Sequence, residues 1–336
     1  MKFKKTTVII ISILTYSHNV NSAEIYRNGS DTLSLGGHLT VGIGEPGLSK
    51  NVEVHQVNPR INIEGKRSIF NNFVIDAKGE WALNLINGGE ESFKTRLGYI
   101  GLTHETYGRF VVGTQWSPYY DVAGAADMPL MFANDFIYNN HGNLGTARAE
   151  KMVSYRNDLA INESMSINIG AGWQGKHKES TTNYSTRGQI ALSISIDELK
   201  FGYAHNTGDV NQLKANSNIY SISYGDFGSG IYAGLVYGDN ENFYTPTGST
   251  SALLDSSQYE AIIAYGFNNS LILSINYEEV EDENTSKTQY SHSAIQAEYD
   301  FAPKLKGYTA YQLDLGDDNS LTDDDDKWSI GVRYYL

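Results

Sequence analysis

Ser329-Ile330-Gly331-Val332-Arg333-Tyr334-Tyr335-Leu336 closes the chain, and its pattern decides how the rest is read. Trp328, Ile330, Val332, Tyr334 and Leu336 fall on one face of an extended strand. Lys327, Ser329, Gly331, Arg333 and Tyr335 fall on the other. This is period-two alternation with an aromatic, apolar face and a polar, charged one. The strand runs flush to the terminus. An unpaired terminal strand would expose a row of backbone donors and acceptors, and closing a barrel removes that edge.

The same alternation recurs upstream. Leu33, Leu35, Gly37, Leu39, Val41 and Ile43 interleave with Ser34, Gly36, His38, Thr40 and Gly42. Val57, Pro59, Ile61 and Ile63 interleave with Asn58, Arg60, Asn62 and Glu64. Phe73, Ile75, Trp81, Leu83 and Leu85 interleave with Val74, Asp76, Lys78, Glu80 and Asn84. A charge at every second position would be ruinous in a dry core. It is expected where that face lines water. The pattern predicts sixteen strands: 33–43, 56–65, 70–86, 93–102, 108–115, 147–156, 163–174, 187–195, 199–206, 216–225, 229–238, 256–266, 270–280, 288–299, 304–314 and 327–336. The expected fold is all-β, a 16-stranded antiparallel transmembrane barrel. Tight turns such as Gly225-Asp226-Phe227-Gly228 alternate with long polar loops such as 238–255. Tyr224, Tyr265 and Tyr299 each precede a tight turn and set an aromatic residue repeatedly at one rim.

Composition agrees. The 336 residues include 24 Tyr and 33 Gly but 6 Pro and no Cys. A disulfide scaffold is therefore excluded. The formal net charge of −14 argues against nucleic acid as a partner. At the N-terminus Lys2, Lys4 and Lys5 precede an apolar run, Thr6 to Leu14, far shorter than the ~20 residues of a membrane helix. Val20-Asn21-Ser22 then offers small residues before Ala23. Residues 1–22 read as a cleaved export signal and 23–336 as one barrel domain; an uncleaved anchor is the alternative.

One connection breaks the pattern. Between Gln115 and Ala147 no clean alternation is found, yet the segment contains Trp116, Tyr119, Tyr120, Met128, Met131 and Phe132. So aromatic a stretch is unlike disorder, and its apolar content predicts a loop packed inside the barrel.

Several motifs together resemble the trimeric general diffusion porins of Gram-negative outer membranes. Ala23-Glu24-Ile25-Tyr26-Arg27-Asn28-Gly29 is similar to that family's opening, and the polar-x-Gly-x-x-apolar-x-apolar end is similar to its terminal assembly signal. Lys94-Thr95-Arg96-Leu97-Gly98-Tyr99-Ile100-Gly101-Leu102, Gly108-Arg109-Phe110-Val111-Val112-Gly113 and Val153-Ser154-Tyr155-Arg156-Asn157 resemble internal strands of the family. The resemblance implies an outer-membrane homotrimer in contact with lipid and lipopolysaccharide. It implies a water-filled channel for small hydrophilic solutes and ions, without cofactor or enzymatic activity. It also implies an inward-folded third loop that narrows the pore. Arg60, Arg96 and Arg148 match the family's arginine wall, His38 stands where a lysine is usual, and Asp127 with Asp135 supply the facing carboxylates. The chain departs from the family at Met131, where a glutamate is usual, in the short loop 87–91, and at Leu336. A plainer reading leaves the arginines as salt-bridged wall residues.

With acidic runs at Glu278–Glu283 and Asp323–Asp326 assigned to the outer mouth, modest cation selectivity is expected. Near the barrel seam Leu35, Leu39 and Ile330 are candidates for subunit contact. A substrate-selective channel, with Trp116, Tyr119, Tyr120 and Phe132 as stacking groups, is the alternative. An outer-membrane enzyme would need a catalytic cluster at the rim. No Gly-x-Ser-x-Gly elbow or His-x-x-x-His pair is present. His55, His104, His141, His177, His205 and His292 are expected as solvated residues at strand ends and loops. The acidic stretches Asp317-Asp318-Asn319 and Asp323–Asp326 read either as solvated loop or as a divalent-cation bridge to lipopolysaccharide.

Overall fold

The computed structural model describes residues 22–47, 51–88, 93–319 and 326–336. The expected signal apart from Ser22, most of the 87–91 loop and residues 323–325 lie outside them. The strands join in one antiparallel sheet that closes as a 16-stranded barrel. Closure runs as the terminal strand requires: His38–Glu45 pairs with Trp328–Tyr335, from His38↔Tyr335 to Glu45↔Trp328. The other half of the Asp31–Glu45 edge pairs with Ala23–Asn28. The two chain ends thus share one stave, each covering the half the other leaves unpaired. The second stave is interrupted, Glu53–Gln56 and Arg60–Ser68, because Pro59 has no N–H to donate and Asn58 takes φ 47°. Continuous alternation across 57–59, as read from the sequence, does not hold there.

Burial is inverted relative to a soluble protein. Asp76, Glu80, Asn206, Ser217 and Glu260 are buried while Ile63, Ile100, Ile190 and Ile263 are exposed. Lipid takes the apolar face and the lumen takes the polar one. At the short-turn rim Tyr265 meets Phe267 and Tyr299 meets Phe301 edge-on, with ring centroids 4.6 and 5.2 Å apart. A second belt lies nearer the long loops. Tyr203, Tyr220, Tyr237 and Tyr259 are register neighbours on four successive strands, with centroids 5.2, 6.3 and 5.1 Å apart. Tyr259 and Tyr265 share one strand, about 20 Å apart by strand rise, so the two belts bracket a bilayer-sized apolar band.

The long connection after Gly108–Trp116 folds into the barrel. It forms short helical turns at Tyr120–Ala123, Gly124–Ala126, Phe136–Tyr138 and His141–Leu144. Tyr119, Val122, Ala126 and Ile137 are buried against Ala204, Ile219, Tyr232, Val236 and Ile262 of the wall. Fully burying side chains of this size contributes roughly 1.5–3 kcal/mol each. The wall makes room with small residues. A Cβ on Gly234 would stand 2.6 Å from the Ala125 carbonyl oxygen, so the loop's close approach requires glycine there.

Candidate functional site

Polar wall residues fasten the loop by its backbone. Leu130 N–H donates to Glu298 Oε1 (3.1 Å) and Met131 N–H to Gln296 Oε1 (2.9 Å). Asn276 Nδ2 donates to the Phe132 carbonyl (2.7 Å). Asp135 and Phe136 N–H both donate to the Glu278 carboxylate, at 2.9 and 2.5 Å. A buried carboxyl group is tolerated where both of its oxygens accept hydrogen bonds. Glu278 is therefore a loop anchor inside the barrel, 3 % exposed, and not an acid of the outer mouth as the run Glu278–Glu283 suggested. Its strand register turns it inward beside Asn276.

Opposite the loop tip lies the basic wall. Arg96 Nε donates to Glu80 Oε1 at 2.9 Å, and Arg60 Nη1 lies 3.7 Å from the same oxygen. Arg148 Nη2 donates to His141 Nε2 at 3.1 Å, and its guanidinium lies over Trp116 and Tyr138, 5.7 and 5.4 Å from the ring centroids. Arg333 Nε donates to Thr40 Oγ1 (2.9 Å), and His38 Nδ1 bonds the same hydroxyl oxygen (3.0 Å). Local irregularities aim the wall's guanidiniums. Arg60 follows the strand break. Arg96 is the extra residue of a bulge where pairing passes from Glu80↔Leu97 to Trp81↔Thr95. Arg148 starts its strand beside a second bulge. Bulges re-aim side chains and recur next to functional sites.

On the loop, Asp127 accepts hydrogen bonds from the Tyr120 and Tyr138 hydroxyls, each at 2.9 Å. Burial raises its carboxyl above the usual range, while the two tyrosines and the charges of Arg148 and Arg60 pull it back down. Asp135 is open to lumen water but ringed by protein. That enclosure, then the charge of Asp127, pushes its carboxyl up to about 6. The structure thus groups Arg60, Arg96 and Arg148 near Asp127, and sets Asp135 further along beside Glu278 and Tyr290. His38 sits at the seam, buried against Tyr335.

Sequence reading missed three contributors, Glu80, Arg333 and Tyr138, and offered Tyr120 as a stacking group rather than as a partner of Asp127. Glu80 and Arg333 were visible as charges on polar faces. Their pairing across strands was not. Tyr119 is fully buried, its hydroxyl bonded to Ser217 Oγ at 2.8 Å, so it cannot stack on a solute. The expectation of solvated histidines fails for His55 and His292, 6 % and 7 % exposed on the inner wall. His55 Nε2 bonds Ser329 Oγ at 2.9 Å, and His292 Nε2 lies 3.4 Å from Asp314. Strand register turns both inward. Among the described residues no group of three His, Cys, Asp or Glu is placed to hold a metal ion.

A closed barrel with an in-folded loop facing arginines now meets its relatives. The family model for Gram-negative porins matches residues 12–336. The chain belongs to the Gram-negative porin family. Porins of this family are channels of the outer membrane, and that is the chain's place and its class of activity; it is not an enzyme. The porin is 23 % identical to outer membrane protein F of Serratia marcescens, over 99 % of this chain and 100 % of that one. It is 24 % identical to the outer membrane porin OmpD of Salmonella typhimurium, over 99 % of each. Among solved structures it resembles Salmonella typhi OmpF in complex with daunomycin (TM-score 0.79, 19 % identity, 94 % of this chain and 100 % of that one). It also resembles the trimer form of Vibrio cholerae OmpT (TM-score 0.69, 18 % identity, 91 % and 100 %).

Proposed function

We propose that this porin forms a homotrimer of passive channels for small hydrophilic solutes and ions, each narrowed where Asp127 of the in-folded loop faces Arg60, Arg96 and Arg148, with Asp135 further along the loop and His38 behind the wall at the seam. The observation that carries this is the loop itself, sealed to one wall by apolar burial and presenting the Asp127 carboxylate toward the arginines on the other. Guanidiniums cannot shed their charge, so opposed rows of fixed charge maintain a transverse field across water. Small dipoles align and pass, while large or apolar solutes are disfavoured. Two of the arginines share Glu80, which damps the positive wall and supports modest cation preference in an acidic chain.

Outer-leaflet lipid and lipopolysaccharide cover the apolar band, Leu35, Leu39 and Ile330 near the seam are candidate subunit contacts, and residues 1–22 are a cleaved signal. A solute-selective site fits less well. Tyr119 is buried, and Trp116 and Tyr120 pack tilted against each other with centroids 4.3 Å apart while Arg148 lies over the Trp116 ring, so these rings are already engaged. Planar-bilayer recording of the purified protein tests the reading. Ohmic conductance proportional to salt, closure in three equal steps and a modestly cationic reversal potential are expected. Saturating solute flux, single-step closure or strong anion preference would reject the corresponding part.

A further inference from the structure

The outer end of the barrel carries a concentration of charge opposite in sign to the chain. Lys151, Lys176, His177 and Lys178 line one cleft of about 550 Å³ at the long-loop end. Asn183, Ser185 and Gln212 add hydrogen-bonding groups, and Asp209 adds one carboxylate. We propose that this cleft binds a phosphate monoester or diphosphate group.

The first support is what these lysines lack. The chain has 39 acidic residues against 25 lysines and arginines, so partners are plentiful. Lys66 lies 3.2 Å from Glu64, and Lys306 3.2 Å from Glu298. Among the described residues none of Lys151, Lys176 and Lys178 has a carboxylate within 4.0 Å. Lys151 Nζ instead lies within hydrogen-bond distance of His177 Nδ1, at 3.0 Å.

The second support is backbone strain. Lys151 has φ 52°, a left-handed conformation costly for a side-chain-bearing residue. It sits in the bulge where pairing passes from Gly113↔Met152 to Gln115↔Ala149. Bulge and φ together take Lys151 out of strand alternation and set its ammonium beside His177. Gln212, with φ 71°, and Asn211, with φ 50°, form the ordinary two-residue turn of the facing hairpin between Val210 and Leu213. Strain persists where the surroundings fix it, and here it holds a cation next to cations.

Charge count selects the ligand. Three lysines against the single carboxylate of Asp209 leave the cleft net positive, and its attraction grows in proportion to the charge of the ligand. A phosphate monoester carries close to two charges and three strong acceptor oxygens, which match ammonium groups spread around a cleft. Trp173, half exposed at the end of Met165–Gln174, marks the lipid-facing surface just below the cleft. Either a phosphorylated glycolipid headgroup or a free phosphate compound can supply this chemistry.

The test uses the purified full-length protein in non-ionic detergent with two probes, inorganic pyrophosphate by calorimetry and bis-phosphorylated lipid A by native mass spectrometry. The exposed hairpin change Lys176→Gln/Lys178→Gln leaves the barrel strands intact, and unchanged single-channel conductance verifies folding. Lys151→Gln is made separately. Wild type is expected to bind at least one probe, the hairpin variant at least tenfold more weakly, with binding weakened further as salt is raised. Phosphate-dependent retention of lipid A identifies a lipid source. Pyrophosphate binding without it identifies a free one. If wild type takes neither probe, or both variants bind like wild type, the proposal is overturned.

Discussion

Glu80→Gln isolates the electrostatics of the wall. The substitution keeps shape and removes the carboxylate that Arg96 meets at 2.9 Å and Arg60 at 3.7 Å. The effect on permeation follows from Coulomb's law. A monovalent ion passing about 5 Å from the lost charge, in water, feels roughly 0.8 kcal/mol less attraction or repulsion. Screening at 0.1 M salt trims this to about 0.5 kcal/mol. Cations lose that much and anions gain it, so the cation-to-anion permeability ratio should fall about fivefold. At 1 M salt, with a Debye length of about 3 Å, the change should shrink below about twofold. Reversal potentials across a tenfold KCl gradient, measured at both salt levels, read the ratio directly. Conductance should change little, because glutamine has nearly the same volume. An unchanged reversal potential in dilute KCl would mean that ions do not pass near the Arg60–Glu80–Arg96 cluster, and the constriction would have to lie elsewhere.

Arg96→Ala removes both positive charge and bulk while freeing Glu80, so conductance and cation preference should both rise in the same bilayer assay. Asp127→Asn should lower cation preference at nearly constant conductance, since an amide oxygen in the place of Oδ2 still accepts from both the Tyr120 and Tyr138 hydroxyls. His141 gives the pH dependence: burial, then the neighbouring Arg148, holds its folded pKa below the ordinary value of about 6.5. The unfolded segment therefore binds the proton more readily, and the stability of the loop tail falls as pH drops below about 6.5. Recordings from pH 7 to 5 should show more frequent loop-dependent closure that His141→Gln lessens, the remainder coming from Asp135, whose carboxyl at about 6 titrates in the same range; identical titrations in both proteins would refute the assignment.

Much of this porin was legible because lipid and water impose a strict period of two. Ile263 and Tyr265 must meet lipid, so their strand neighbours Ile262 and Ala264 must face inward. The same rule placed the seam between the first strand and the last. The rule also carried the long loop, since Tyr119, Val122 and Ile137 had no lipid-facing strand to occupy and needed a second wall. Ile262 shows why the wall itself misleads. It is apolar on the inner face because the loop covers it, and no local pattern announces that partner.

The arginines illustrate the deeper limit. Arg96 lies in a bulge, where one extra residue shifts the alternation on either side. A period-two count therefore cannot say which way it points; the family resemblance could, because bulges belong to the fold. Glu80 sits directly across that bulge. One carboxylate between two guanidiniums holds the bulged strand in place and also sets the net charge of the wall. Removing either arginine leaves that carboxylate less compensated, so their effects on selectivity should be non-additive. The double variant Arg60→Ala/Arg96→Ala should therefore depart from the sum of the two single changes, because in each single variant the remaining guanidinium still meets the Glu80 carboxylate and in the double variant neither does. Strict additivity in reversal potential would show that the three residues act as independent charges rather than as one cluster.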